Sequence, residues 1–230
     1  MRHIQREWNR IPLKLVPQRK RRSVRVAWDN RARTLICYYP SGIPEKTLND
    51  FFEAREEKIL ALCRKGFSPA DNASLIYQGE KYTLSIVDSQ DNEGIVLDKT
   101  RGKIIMKSED GADSFFKLWN EFLKKEAPCY FEKLIKEAES KTGLKADRWR
   151  FRPMRSRWGS ASSERAVTLN TLLLMAPEIV SAYVILHELT HFRIPDHSSA
   201  FWAALEKEMA DYSLHRRWLR EKGRDLLSFY

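Results

Sequence analysis

The run His187-Glu188-Leu189-Thr190-His191 holds the clearest chemistry in this 230-residue chain. Two histidines four positions apart project from one face of an α-helix about a turn apart, so both imidazoles reach one metal ion. Glu188 lies about 100° further round at about 3.6 residues per turn, where its carboxylate faces water beside the metal without ligating it. The spacing supplies two ligands and a base. A hydrolytic metal site also needs a third protein ligand and an open position. His197, six residues past His191 and just after the Pro195-Asp196 turn, is the expected third ligand; Glu206, Glu208 and His215 are competing donors. The interval from His191 to His197 equals that of HExxHxxGxxH proteases, but Ile194 stands at the glycine position, so the backbone is expected to turn differently. Neutral imidazoles suit Zn2+ first, with nickel, cobalt or manganese as other divalent occupants.

These parts point to hydrolysis: the metal acts as a Lewis acid toward water and the substrate oxygen, and Glu188 accepts the water's proton. Which bond is cut depends on the rest of the cleft, where the stretch 152–160 matters most. Its Arg155 and Arg157 are the candidate substrate-binding residues, able to clamp an anion or carboxylate or to stabilise an oxyanion. The competing reading makes them alternate residues of an exposed strand. A peptide or protein is the leading substrate, and a nucleoside triphosphate cleaved by a pyrophosphatase is the alternative.

A helix must carry the motif, and residues 178–191 supply one. Apolar residues lie almost all round it, so it is expected to be buried, with Pro177 at its first position. Further helices are expected over 198–212 and 215–222. Upstream, helical periodicity over 113–143 is expected to kink or split at Pro128 and to end near Gly143. Strands are expected at 148–154 and 166–169, joined through a turn region at Gly159-Ser160. Nearer the start, residues 23–39 alternate at period two around Asp29-Asn30-Arg31 and read as a hairpin. Residues 44–65 read as one amphipathic helix stopped by Gly66, and short strands follow at 75–77, 81–87, 94–97 and 103–106, with turns such as Gln78-Gly79. The expected architecture is α+β, with a β-rich region over 1–110 and a catalytic domain over 111–230. No internal repeat or low-complexity segment is visible.

Composition agrees with a soluble protein, at 43% hydrophobic and 31% charged residues, and no apolar run is long enough to span a membrane. The N-terminal stretch lacks the apolar core of a secretory signal, so cytoplasmic residence is expected. Cys37, Cys63 and Cys129 are scattered and odd in number, which fits reduced thiols in the core. Of the net charge of +10, residues 1–25 hold +8, from nine Lys or Arg and one acid. That stretch is either a basic arm touching nucleic-acid phosphates or an edge strand kept soluble by its charges.

Taken together, Arg157-Trp158-Gly159-Ser160, Leu169-Asn170, Leu174-Met175-Ala176-Pro177, Tyr183-Val184, the HExxH run, His197-Ser198, Phe201-Trp202, Asp211-Tyr212 and Arg216-Arg217-Trp218-Leu219 resemble the YgjP-like metal-dependent hydrolases. These are a zincin group similar in its core to SprT-type metallopeptidases. The resemblance spans about residues 150–220, with a looser match at Arg21-Arg22 and Tyr77-Gln78-Gly79. It implies a zincin-like fold, His187, His191 and His197 as metal ligands, and Glu188 as general base. Peptidase and nucleotide pyrophosphatase activities are both attributed to the group. Ala161 stands where the group usually has Cys.

Overall fold

A computed structural model describes residues 4–9, 11–29, 32–64, 69–89 and 92–229. Its first unit, residues 1–68, is a sheet of β1 (Ile4–Trp8), β2 (Ile11–Gln18), β3 (Arg25–Asp29) and β4 (Thr34–Pro40), ordered β1-β2-β4-β3. Alternation buries Leu13, Leu15, Leu35 and Cys37 in one core with Leu48 and Phe52 of α1 (Glu45–Glu53) and Ile59 of α2 (Glu56–Arg64). The single helix expected over 44–65 is therefore two. It tightens where the Arg55 amide donates to the Phe52 carbonyl, three residues back, and restarts at Glu56. Gly66, its expected stop, lies outside the described residues. Residues 4–8 and 11–18 of the expected basic arm are strands, β1 at the sheet edge and β2 inside it, and Arg6 pairs with Glu45.

The second unit, residues 69–230, contains two sheets. The strands β5 (Ser74–Tyr77), β6 (Glu80–Val87), β7 (Gly94–Asp98) and β8 (Lys103–Lys107) run in the order β5-β6-β8-β7. An expected boundary at residue 110 would part these strands from α3 (Phe115–Thr142), yet they share its core. The Tyr77 ring lies 6.3 Å from Trp119 and 5.5 Å from Phe122 of that helix. The helix runs unbroken past Pro128, rather than splitting there, and Gly143 caps it with φ 66°.

The remaining sheet is β10 (Gly159–Ala161), β11 (Ala166–Asn170) and β9 (Arg148–Arg152), in that order, with β10 antiparallel and β9 parallel to β11. Phe151 stacks on Phe131 of α3, with centroids 5.3 Å apart. The expected turn at Gly159-Ser160 is thus an edge strand, whose three small residues carry no hydrophobic alternation. Helices α4 (Glu178–Thr190), α5 (Ser199–Glu208) and α6 (Tyr212–Leu227) complete the unit, and α4 buries nine of its thirteen residues. Pro177 precedes α4 as its N-cap rather than taking its first position. Of the three cysteines, Cys37 is buried, Cys129 is exposed on α3 instead of in the core, and the Cys63 side chain lies outside the described residues. Among the described residues, no helix is long and apolar enough to cross a membrane.

Both four-stranded sheets have one plan. In each, the first strand pairs antiparallel with the second, the second parallel with the fourth, and the third antiparallel with the fourth. Trp28↔Leu35 and Val26↔Cys37 correspond to Leu97↔Ile104 and Ile95↔Met106. The described residues after the third strand also agree: Asp29 accepts the Ala32 amide at 3.0 Å, and Asp98 accepts the Arg101 amide at 3.0 Å. The next residues, Arg33 and Gly102, both adopt positive φ, 44° and 62°. This internal repeat is invisible in the sequence because equivalent positions retain burial class and not residue identity.

Candidate metal centre

Helix α4 ends in the HExxH run, with His187 in its last turn and His191 as its C-cap. Beyond it the chain turns through amides of Phe192, Arg193 and Ile194 that donate back to the carbonyls of Leu189 and Thr190 at 3.0 Å. Ile194 takes the glycine position without a positive φ, so this turn needs no glycine. Asp196 accepts the Ser198 amide at 3.2 Å, starting α5 and setting His197 opposite the motif.

The three imidazoles converge. Their donor nitrogens lie within 4.8 Å of one another, and the Nε2 atoms of His187 and His197 are 3.0 Å apart. Two nitrogens on a tetrahedral zinc at about 2.0–2.1 Å would lie about 3.3–3.4 Å apart, so a small adjustment admits the ion. Among the described residues no other group of His, Cys, Asp or Glu converges in this way. The His191 Nδ1–H donates to the Ile194 carbonyl at 3.1 Å, leaving Nε2 to face the cluster. Burial holds the His187 pKa down to about 3 and lowers that of His191, which keeps both rings in the neutral, ligating form. The donor set fits a divalent metal of borderline softness.

Aromatic packing orients these rings. Phe201 of α5, fully buried, sits 4.7–4.9 Å from all three centroids. Trp202 stacks on His197 at 5.6 Å, and its Nε1 donates to the His197 carbonyl at 3.0 Å. His187 Nδ1 is buried and finds no hydrogen-bond partner among the described residues; Tyr183, Phe201 and Trp202 hold this ring by contact.

Glu188 is 6% exposed and faces strand β10. Burial pushes its pKa up to about 7, against the Ala161 amide that donates to it and the charge of Arg157. The approach is so close that a Cβ on Gly159 would stand 2.4 Å from Glu188 Oε1 and 2.6 Å from its Cγ. Gly159 is thus a site residue whose role comes from what it lacks. The loop before it hangs on Asn170, fully buried at the end of β11. The Asn170 amide nitrogen donates to the carbonyls of Met154 and Arg157, and its oxygen accepts from the amides of Met154 and Leu172. Trp158 in turn packs on Gly223 of α6, where a Cβ would lie 2.7 Å from the indole.

A cleft of about 650 Å³ opens beside the cluster, lined by His187, Glu188, His191, His197, β10 and two arginines, Arg157 and Arg165. Arg157 is therefore at the site. Arg155 is not among the lining residues, and both lie in the loop after β9 and not in a strand. The competing donors are elsewhere. His215 is buried and bonds Asp211 at 3.1 Å, Glu206 is exposed, and Glu208 is half-buried on α5. Gly159, Asn170 and Arg165 were not identified as functional from residue type. The signal for the first two was their place in the motifs flanking β10 and β11.

Residues 22–222 match the family described as YgjP-like, metallopeptidase domain. No curated protein sequence matches the chain. Among solved structures, the metallopeptidase zymogen of Pyrococcus abyssi abylysin is similar at 24% identity over 41% of this chain and 96% of that one, with a TM-score of 0.36.

Proposed function

We propose, since the chain belongs to the YgjP-like metallopeptidase family, that this metal-dependent hydrolase cleaves peptide bonds at a zinc site formed by His187, His191 and His197, with Glu188 as general base. The observation that carries the substrate class is the position of β10. It is an edge strand, paired on one side to β11 and bordering the cleft that holds the three histidines and Glu188. An extended peptide can add to such an edge through main-chain hydrogen bonds, which fixes the scissile carbonyl relative to the catalytic groups without requiring a particular side chain.

When bound, zinc supplies Lewis acidity toward water and the scissile carbonyl. The protein supplies the proton handling. Glu188 is desolvated, which strengthens it as a base, and the Ala161 amide holds its carboxylate in one orientation. It takes the proton from the attacking water and returns it to the leaving amine. Arg157 adds positive charge on the same side of the cleft, where oxyanion character develops.

The test is Glu188→Gln, offered an unfolded protein and a panel of nucleoside triphosphates alongside the wild type. Metal content and folding should be unchanged while peptide hydrolysis falls by about 10²–10⁴, the usual loss for a missing general base. Cleavage of triphosphates alone, supported by Arg157 and Arg165 in the cleft, would overturn the peptide assignment. Undiminished turnover by the variant would overturn the role of Glu188.

A further inference from the structure

The two repeated sheets carry opposite charge in the connector after their second strands. Both connectors are six residues long, 19–24 and 88–93. The first reads Arg-Lys-Arg-Arg-Ser-Val and leads into Arg25; the second reads Asp-Ser-Gln-Asp-Asn-Glu. One plan of strands carries opposite charge at the same place, so the cations are not what this connection needs in order to fold. The imbalance extends further. Residues 1–68 hold sixteen Lys or Arg against seven Asp or Glu, while the rest of the chain holds 25 against 24.

Arg19, Lys20, Arg22 and Arg25 are exposed and form no ion pair with a described residue. Beside them stands an aromatic ring. Tyr38 alternates with buried Cys37 on β4 and so lies on the face away from the unit's core. Arg25 is its cross-strand partner. The Arg21 guanidinium lies 5.7 Å from the Tyr38 ring, steadied by a 2.8 Å bond from its Nε to Gln18 Oε1. Lys14, on the neighbouring strand, shares that face with Tyr38.

We propose that this face, centred on Tyr38 with the 19–25 connector, binds single-stranded nucleic acid. The exposed cations meet successive phosphates, and the ring accepts one unstacked base. Charge complementarity favours a polyanion, and the aromatic among the cations favours one with stackable bases over an acidic peptide or an anionic bilayer. None of these residues lines the cleft of the proposed chemistry, so the Glu188→Gln chain should bind equally well.

The experiment uses the intact chain and fluorescein-labelled 20-nucleotide DNA and RNA, followed by anisotropy between 50 and 200 mM salt. With four or five phosphates engaged, the log–log slope should be about −3, a loss of roughly sixtyfold across that range. The fourfold variant Arg19→Gln, Lys20→Gln, Arg22→Gln and Arg25→Gln should abolish most binding and flatten the slope. Tyr38→Leu should weaken it by about tenfold with the slope unchanged, whereas Lys99→Gln with Arg101→Gln, in a connector of the other sheet, should do nothing. Melting curves for each variant check that the fold survives. Undetectable binding at 50 mM salt, or binding that the fourfold variant retains, would overturn the proposal. So would binding to phosphatidylserine vesicles but not to the oligonucleotides, or salt-sensitive self-association of the chain in their place.

Discussion

Gly159→Ala isolates the geometry of the base from the chemistry of the metal. The added methyl would stand 2.4, 2.6 and 2.7 Å from Oε1, Cγ and Cδ of Glu188, against ordinary contacts of about 3.5 Å. Either the carboxylate or strand β10 must therefore move by about 1 Å, and a displacement of that size in a positioned group typically lowers turnover by about a hundredfold. The backbone at Gly159 is not in the left-handed region, so alanine brings no torsional strain and the effect is purely steric. The histidines are untouched, and metal content measured by elemental analysis should stay at the wild-type stoichiometry. The assay is kcat/KM on a self-quenched unfolded protein, with the change repeated in the Glu188→Gln background. If the methyl acts through Glu188, the second step of that cycle should cost almost nothing. Turnover by Gly159→Ala within about threefold of wild type would refute the reasoning. An equal loss in both backgrounds would place the effect on substrate docking at β10 instead.

Other outcomes follow from the same contacts. His197→Ala should lose bound metal, read by elemental analysis, whereas His215→Ala should retain it and lower stability through the lost bond to Asp211. Asn170→Asp replaces two N–H donors with acceptors that face the Met154 and Arg157 carbonyls, and should lower unfolding free energy in urea by about 3 kcal/mol. Gly223→Ala forces a methyl against Trp158 and should cost about 1–3 kcal/mol by overpacking, with turnover falling as the 157–159 segment shifts.

The convergence of the three histidines was legible because two strong rules coincide there. The four-residue interval of His187 and His191 and the all-round apolar character of α4 both survive folding, and His197 followed from the break at Pro195-Asp196. Strand β10 was not legible: Gly159, Ser160 and Ala161 show no alternation, and the need for glycine arises from Glu188, distant in sequence. The break between α1 and α2 has no proline or glycine to announce it. The division of the chain near residue 68 escaped for a different reason. The strands at 74–107 read as more of the same β-rich region, and what assigns them to the second unit is packing such as that of Tyr77 against α3, together with the Gln78 amide donating to the Leu174 carbonyl. Arg155 and Arg157 are equal in type, and the turn of the loop hung from Asn170 is what separates them.

The repeated sheets pose a hazard during synthesis and refolding. Two modules with the same strand order and the same strand pairing offer each other alternative partners, and repeats of one plan are prone to exchange strands. The 29–34 and 98–103 hairpins close locally, on a microsecond scale typical of such turns, before the parallel pairing that completes each sheet has a chance to form. At that stage only the side chains distinguish one half-built module from the other. Cys37 against Met106 and Trp28 against Leu97 differ enough in volume that a strand taken from the wrong module leaves voids or clashes in a close-packed interior. The divergence that hides the repeat from a reader of the sequence also penalises a strand paired into the wrong sheet.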